Sequence, residues 1–474
     1  MKNYFLRNCT FATILLASTL TLTSCGDDEE ENKPGTEFPD EPVKPNEPGE
    51  QEALTPYVQK QRMEEIAKEA MNMAPASDFK AYSELANFVN DVYGNDYDWS
   101  NVDDWAKQCW NDVKKATGNK KTETGVDYWG WSTCYNIYTE YKSLLLASNF
   151  TGHFNAGRKK WTKDNGRFND LQFTFSGQNG EECVLKLETS GKVTKVNVGS
   201  WDEWKDYEDR ENASFNYYDR INCTIGVPEN IVLTLTQGGK QLVKTTVNVA
   251  LSNLDGMTFD IAKGNVSVTA NVELDNGYTF SSSQVNYAGN SKLSVASASV
   301  KKGGKVLVTV SMAGDVSGLP SCNVDAFSKD NFSFDDYNTD NTTMKNAFVK
   351  VDVLGKLQVQ GVISDVRQYS DALDMAAKQR ENETAFKSFV KKANKLADIN
   401  LFYDNTSTKQ ASVVLDSFLD YEYDGEQEWK YEPVIVFYDG SSNSAFGTFF
   451  NERDFRSVIR MYERLLEDYE DLIK

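Results

Sequence analysis

The sequence predicts an α+β protein, in which an N-terminal helical region is followed by a long antiparallel β-meander covered by helices. Apolar residues recur at helical spacing over residues 55–148, alternate with polar residues along long runs after residue 149, and return to helical spacing after residue 366. A sheet with one apolar face must bury that face, so the late helices are expected to pack against it. We therefore divide the chain into segments 1–24, 25–53, 54–149 (helical), 150–365 (antiparallel β body) and 366–474 (helices and strands that complete the body).

Residues 1–24 have the pattern of a secretory signal peptide. Lys2 and Arg7 supply positive charge, and residues 11–22 form an apolar stretch that contains no acidic residue and is too short to span a bilayer comfortably. The segment from Leu22 to Cys25 (LTSC) then places small residues before a cysteine. This segment resembles the lipobox of bacterial lipoproteins. The resemblance implies that Cys25 carries a diacylglyceryl group and becomes the N-terminus after cleavage.

An acidic, proline-rich tether is predicted over residues 25–53. Five of the ten prolines lie here, and residues 25–52 contain eleven acidic and two basic residues. Such a composition cannot form a packed core, and its like charges keep the tether extended. The run from Asp27 to Glu31 resembles the export signal of surface lipoproteins of the Bacteroidota. That resemblance implies an outer-membrane location with the body facing the cell exterior.

The strand-rich body also resembles known proteins, although only weakly. Segments 225–249 and 349–361 are similar to uncharacterised lipoproteins of the Bacteroidota. This resemblance covers about half of the chain and implies no particular activity.

Helices are predicted between residues 55 and 148. The apolar residues of segment 63–70 have the spacing of one helix face, and Trp105 and Cys109 lie on one stripe of a second helix. A third helix is predicted over residues 132–147, where Tyr135, Tyr138 and Leu145 are among the apolar positions. Glycines separate these segments, as expected for a small helical region.

Long antiparallel strands joined by tight turns are predicted after residue 149. Apolar residues alternate with Thr, Ser, Asn and Lys over segments such as 171–175, 231–235, 266–274 and 306–312. The pairs Gly238-Gly239, Asn276-Gly277 and Gly303-Gly304 stand between such runs and are typical of hairpin turns. The pattern indicates a meander with one apolar face and one wet face.

The last hundred residues are predicted to mix helices with strands. Helices are expected over 370–379 and 383–397, and strands over 399–403, 412–415 and 434–438. A final amphipathic helix is expected from about Glu452, with Asn451 as its N-cap. These helices are the candidates for covering the sheet.

Composition and motifs argue against several functions. The formal net charge of −21 argues against a nucleic-acid partner, which requires clustered Lys and Arg. The single histidine, His153, cannot form a multi-histidine metal site, and we expect it to be structural. The sequence has no CxxC, GxSxG, GxGxxG or GxxxxGK motif, so we expect no metal, no cofactor and no enzymatic activity. After loss of Cys9 and acylation of Cys25, the other five cysteines are expected to be mainly buried thiols.

Aromatic residues in polar surroundings are the remaining sign of a binding site. Aromatic rings on polar loops form flat apolar surfaces that suit sugar rings or extended peptides. The alternative is that these rings pack inside the protein or pair across strands. The four candidate ligand-binding residues are Trp129, Trp131, Trp201 and Trp204, the last two in a stretch expected to be a loop.

These observations favour a non-enzymatic, lipid-anchored cell-surface protein. It is expected to bind a nutrient, either a glycan or a peptide, or a partner protein such as an outer-membrane transporter. One alternative is a structural or assembly component of the cell envelope, whose sheet edges dock onto other proteins. A second alternative is a carrier of an amphipathic ligand inside a curled sheet. A hydrolase that uses paired carboxylates would be a third, without positional support in the sequence.

Overall fold

The computed structural model describes residues 52–93, 104–109, 111, 119–129, 132–146, 151–158, 160–162, 170–208, 214–256, 264–288, 292–315, 345–423, 426–451 and 453–473. These residues form two compact units. The first contains the described residues of Met1–Asn95, Thr269–Asn323 and Tyr337–Lys474, and the second contains those of Asp96–Val268. Helices near the start of the described chain precede a large and mostly antiparallel set of strands, so the predicted α+β class is confirmed.

The first unit begins with two helices, α1 (Pro56–Met73) and α2 (Lys80–Tyr93), joined by a 3-10 turn over Ala76–Phe79. Thr55 caps α1, because its side chain accepts a hydrogen bond from the Val58 N–H. Pro56 at the first helical position causes no loss of a hydrogen bond, since a backbone N–H at that position would have no partner within the helix. The helix predicted from the spacing of residues 63–70 is confirmed.

The second unit contains β1 (Asn119–Trp129), β2 (Ser132–Leu146), β3 (Gly152–Asn155), β4 (Lys160–Thr162), β5 (Asp170–Ser176), β6 (Glu182–Glu208), β7 (Ser214–Gln237) and β8 (Lys240–Ser252). β7 is antiparallel to β6 and to β8, and β1 is antiparallel to β2. However, β2 runs parallel to β7, and β3 runs parallel to β5. The sheet of this unit is therefore mixed.

The helix predicted over residues 132–147 is wrong, because this segment is strand β2. Tyr135, Ile137, Thr139 and Tyr141 alternate along it, and aromatic and β-branched residues fit a pleated surface better than a helix. The partner strands β1 and β7 pair with β2 on its two sides. Pairing with distant strands therefore outweighs the helical spacing of its apolar residues. The strands begin at Asn119, within the region expected to be helical.

The strands of the first unit form the predicted meander. They are β9 (Asn265–Leu274), β10 (Tyr278–Ala288), β11 (Lys292–Lys302), β12 (Lys305–Asp315), β13 (Asn346–Val353), β14 (Leu357–Ile363), β15 (Ala397–Tyr403), β16 (Ala411–Tyr423), β17 (Glu426–Phe437) and β18 (Ser444–Ala445). β9 pairs with β10, and every strand from β10 to β17 is antiparallel to the next one along the chain.

The closing helices are α3 (Val366–Lys378), α4 (Glu383–Leu396), a single turn over Phe446–Phe449, and α5 (Arg456–Ile473). Asp365 caps α3 and Asn382 caps α4, each by accepting a backbone N–H with its side chain. Asn451 is not the N-cap of the last helix, which begins five residues later at Arg456. Its Oδ1 atom instead accepts the Asp454 N–H and closes the turn that leads into α5.

These helices bury one face of the meander, as the sequence predicts. Ile66 of α1 packs with Tyr278, Leu307, Leu354 and Tyr403, and the partly buried Val353 and Leu357 lie against this group. Just before the start of α5, Phe449 and Phe455 pack with Ala411, Ile435 and Phe437. Phe386 and Val390 of α4 join Ala376 of α3 in a third group, against Leu415, Trp429 and Tyr431.

Tyr278 connects the turn after α1 to the β10–β11 hairpin. Its buried ring lies 4.9 Å from the Phe79 ring, and its hydroxyl oxygen lies 2.7 Å from both Asp78 Oδ2 and the Met73 carbonyl oxygen. Burial and the nearby Asp78 carboxylate raise the pKa of Tyr278, so the hydroxyl stays protonated and donates. A hydrogen bond from the Lys302 ammonium holds the pKa of Asp78 below its ordinary value.

Replacing Tyr278 by phenylalanine is expected to lower the free energy of unfolding by about 1–3 kcal/mol, because a partly buried acceptor loses its donor. Tyr82→Phe is the matched control, since the Tyr82 hydroxyl donates to Asp275 at an exposed position and its loss should cost about 1 kcal/mol or less. Urea unfolding followed by circular dichroism measures both. Equal effects of the two variants would contradict the assigned role of Tyr278.

Candidate functional site

The tryptophans singled out in the sequence do not form one loop surface. Trp131 and the lipid-bearing Cys25 lie outside the described residues. Trp129 is the last residue of β1 and is opposite Ser132. Trp201 and Trp204 belong to β6, so the loop expected around them is wrong.

Trp201 and Trp204 pair with β7 in one continuous register. Trp201 is opposite Ile221 and Trp204 is opposite Tyr218, with no register shift between them. The role of each as a ligand contact stays a prediction.

His153 takes part in a charged group that links three strands of the second unit. His153 Nε2 on β3 lies 2.8 Å from Asp170 Oδ1 on β5, and Lys186 Nζ on β6 lies 3.5 Å from Asp170 Oδ2. Burial raises the pKa of Asp170, but His153 and Lys186 outweigh this and hold it below its ordinary value. A carboxylate that contacts a histidine and a lysine from the two neighbouring strands accounts for this group structurally.

Neither a metal site nor a reactive thiol emerges from the described part of the chain. No group of three His, Cys, Asp or Glu side chains there could hold a metal ion. Cys183 is buried, and burial raises the pKa of its thiol, which disfavours the nucleophilic thiolate. Cys109 is buried too. In the described segments, no helix is long and apolar enough to span a bilayer.

A row of polar side chains lies on the face of the meander opposite to the one against which the helices pack. Five residues on consecutive strands form this row through direct cross-strand pairs; we call it the polar strip, and it consists of Ser311, Lys350, Gln360, Asn400 and Ser412. Val353, Leu357 and Tyr403 lie on the opposite face, because they pack in the group around Ile66 of α1. Each lies three residues from a strip residue on its own strand, so the strip faces the other way.

The strip contains polar groups without partners. Asn400 is only 5 % exposed, and its Oδ1 atom is buried without a hydrogen-bond donor. Gln360 on β14 is its direct neighbour, and Lys350 on β13 is the next residue of the row; both are half-buried, and neither head group has a hydrogen-bond or ion-pair partner among the described residues. Buried polar groups in proteins are nearly always paired, because an unpaired one costs free energy. A ligand that reached the half-buried heads of Lys350 and Gln360 would supply the missing partners.

One end of the strip is closed by an aromatic ring. The Ser412 hydroxyl donates to the Tyr438 hydroxyl oxygen over 3.1 Å, and this contact fixes the position of the Tyr438 side chain. Tyr438 is 49 % exposed, although it is a large aromatic residue. A ring held at the end of a polar row offers a flat apolar surface beside hydrogen-bonding groups.

Two polar residues of the next row on the same face, Asp352 and Gln358, are paired. Gln358 is opposite Asp352, and its Nε2 donates to Asp352 Oδ2 over 2.7 Å and also to Asn405 Oδ1. Asp352 Oδ1 accepts the Gly355 N–H over 2.7 Å. Asp352 and Gln358 are therefore paired with each other and with their neighbours, unlike Lys350 and Gln360 of the strip.

Comparisons of the chain with models of protein families, with curated proteins and with solved structures found no match. The argument for function therefore depends on the strip and on the N-terminal sequence. The strip was not predicted from the sequence, although the alternation of Thr, Ser, Asn and Lys with apolar residues indicated that one face of the sheet is wet. No sequence pattern shows which of those residues pair across strands.

Proposed function

We propose that this protein is a lipid-anchored, non-enzymatic protein of the outer membrane that captures a polar ligand at the cell surface. Cys25 would carry the lipid, residues 25–53 would hold the body away from the membrane, and the polar strip would bind the ligand. The observation that carries the proposal is the buried Asn400 amide oxygen, which has no hydrogen-bond partner among the described residues. It lies beside Gln360 on β14, and Lys350 on β13 is the next residue of the row. A glycan, a peptide or a segment of a partner such as a membrane transporter could satisfy these groups.

The backbone beneath the strip makes it suitable for binding. Neighbouring strands lie about 4.8 Å apart, so the five residues extend over roughly 19 Å. The strands are hydrogen-bonded to each other on both sides, which holds the row in place before a ligand arrives. A preorganised site loses little conformational entropy on binding.

The chemistry of the strip favours capture over catalysis. It combines amides, hydroxyls and one ammonium group, all of which form reversible hydrogen bonds. The nearest carboxylates on the same face are Asp352, which accepts from Gln358 and Gly355, and Asp398, which is paired with Lys409. Because both carboxylates have partners, we assign the strip no proton-transfer role.

Substitution of Asn400 and Gln360 by alanine together is expected to weaken ligand binding by about tenfold or more, since two hydrogen bonds of about 1 kcal/mol each are lost. The test is a glycan and peptide binding screen on the mature, full-length protein in detergent. Val359→Ala is the matched control, because Val359 lies on β14 beside Gln360 but on the opposite face.

The same screen decides between this site and its rivals. Binding that is lost in Trp129→Ala, Trp201→Ala or Trp204→Ala but retained in the strip variant would move the site to the second unit. Binding lost only in Val359→Ala would favour the carrier of an amphipathic ligand. If the wild-type protein binds no glycan, no peptide and no transporter, the capture function is wrong and a structural role in the envelope becomes the better proposal.

A further inference from the structure

We infer that the ligand of the polar strip is an acidic oligosaccharide, with a carboxylate or sulfate group that contacts Lys350. This inference rests on the proposed capture function and narrows it to one class of ligand. It depends on three features: the position of the strip within the sheet, the unpaired charge of Lys350, and the groups at the Asn400 end.

The position of the strip favours a saccharide over a peptide. An extended peptide commonly binds to a sheet by adding a strand at its edge, where backbone N–H and C=O groups are free. The strip residues β13 Lys350, β14 Gln360 and β15 Asn400 lie on interior strands whose backbone groups already pair on both sides. Only side chains are available there, and amides and hydroxyls match the donors and acceptors of sugar hydroxyl groups.

The spacing of the strip also suits a chain of sugar rings. Successive strip residues are about 4.8 Å apart, which is close to the length of one ring in a linear saccharide. The half-buried Lys350 and Gln360, on neighbouring strands, can therefore contact neighbouring rings. At the far end, the exposed ring of Tyr438 is held by Ser412 and can stack on the apolar face of a terminal sugar.

Lys350 supplies the charge preference. Its direct cross-strand neighbours are Ser311 and Gln360, both neutral, and the structure gives its ammonium group no partner within the described chain. The two carboxylates on the neighbouring rows are satisfied, because Asp352 accepts from Gln358 and Gly355, while Asp398 lies 3.4 Å from Lys409 Nζ. A half-buried ammonium group between neutral neighbours is best satisfied by an anion from outside.

The rest of the protein makes this lysine selective. The chain has a formal net charge of −21, so an anionic ligand is repelled at long range and can bind only where a local cation compensates. The Lys60, Lys302, Lys305 and Lys356 ammonium groups of the same unit all pair with carboxylates. Other lysines of this unit that have no ion-pair partner among the described residues, such as Lys301 on β11 and Lys378 on α3, lie outside the strip. Within the strip Lys350 therefore sets where the acidic group of the ligand lies, and Gln360 and Tyr438 contact the neighbouring rings.

The test compares matched acidic and neutral probes on the mature, full-length protein by isothermal titration calorimetry. Oligogalacturonate is paired with its methyl ester, and a chondroitin sulfate oligosaccharide with its desulfated, carboxyl-reduced form. We expect at least one acidic probe to bind about tenfold more tightly than its neutral partner, as is typical of a charge-assisted hydrogen bond. Lys350→Gln should remove this difference, and Lys350→Arg should retain most of it.

Lys409→Gln is the control, because it also removes one positive charge but from a lysine in the β15–β16 loop that is paired with Asp398. It should leave the preference for the acidic probe unchanged. Equal binding of acidic and neutral probes, or binding of peptides alone, would overturn the inference about ligand class while the capture function stands. If neither the probes nor any ligand of the wider screen bind, both the inference and the proposed function are wrong.

Discussion

Replacement of Cys25 by alanine is expected to shift the protein from the membrane fraction to the soluble fraction, lowering the membrane-bound share by about tenfold or more. Each buried methylene group of a lipid anchor contributes about 0.8 kcal/mol, and one acyl chain alone gives only marginal binding. A diacylglyceryl cysteine with a further N-acyl chain exceeds this requirement, and no other strongly apolar segment is predicted after residue 24. Fractionation of cells that express each variant, with metabolic labelling by a palmitate analogue, measures both location and lipid.

Cys9→Ala is the matched control for this experiment. Cys9 lies inside the predicted signal peptide and would be removed with it, so its loss should change neither labelling nor location. A Cys25→Ala protein that still fractionates with the membrane and carries the label would contradict the lipobox interpretation. Accessibility of the wild-type protein to protease on intact cells would then test separately whether the acidic run after Cys25 directs the protein to the exterior.

Phe386→Ala is expected to lower the free energy of unfolding by about 3–5 kcal/mol, the range observed when a large buried aromatic residue is removed. Phe386 on α4 is 1 % exposed and belongs to the group that contains Ala376 and Val390. Its ring lies 6.3 Å from the ring of Tyr431 on β17. The substitution leaves a cavity between the α3–α4 pair and the sheet that the surrounding backbone can close only in part.

A second contact joins α4 to the sheet, and it should confine the loosening caused by Phe386→Ala to one part of the helix. Asn394 Nδ2 donates to the Leu415 carbonyl oxygen over 2.6 Å, and Asn394 Oδ1 accepts the Leu415 N–H over 2.8 Å. In Phe386→Ala this pair should hold the end of α4 while its beginning loosens. Hydrogen exchange should therefore rise more at the start of α4 than at its end.

Phe446→Ala is the matched control, because Phe446 is 40 % exposed and the same side-chain atoms are removed. Its loss should cost about 1 kcal/mol or less. Urea unfolding followed by circular dichroism gives the free energies, and coincidence of fluorescence and circular dichroism curves checks whether a single transition describes the two units. Similar losses for both variants would contradict the role assigned to the α3–α4 pair.

Local patterns in the sequence are sufficient for much of the meander. The turns predicted at Gly238-Gly239, Asn276-Gly277 and Gly303-Gly304 join β7 to β8, β9 to β10 and β11 to β12. Gly277 has φ +89° and Gly304 has φ +82°, conformations that favour glycine, so these residues mark their turns by themselves. Helices α3 and α4 were also predictable, since their polar caps Asp365 and Asn382 precede amphipathic runs.

Two local predictions failed where pairing with distant residues decides the structure. Segment 132–147 has apolar residues at spacings that fit a helix, but its position between β1 and β7 makes it a strand. Segment 201–207 has the charged composition of a loop, yet it pairs residue by residue with β7. In both cases backbone hydrogen bonds to strands elsewhere in the chain outweigh the local preference, which is weak for strands in particular.

The sequence by itself determined the α+β class, the hairpin turns of the meander, helices α3 and α4, and the expectation of a lipid at Cys25, because each depends on neighbouring residues. Only the tertiary structure decided the polar strip. Ser311 and Ser412 are about a hundred residues apart, and they share a row because four successive strand registers align them. Alternation shows which residues face the same side of one strand, but register is set by turns and by packing across the whole sheet. A shift of one residue in the β14–β15 pairing would move Asn400 away from Gln360, and a shift in any of the other three would break the row elsewhere.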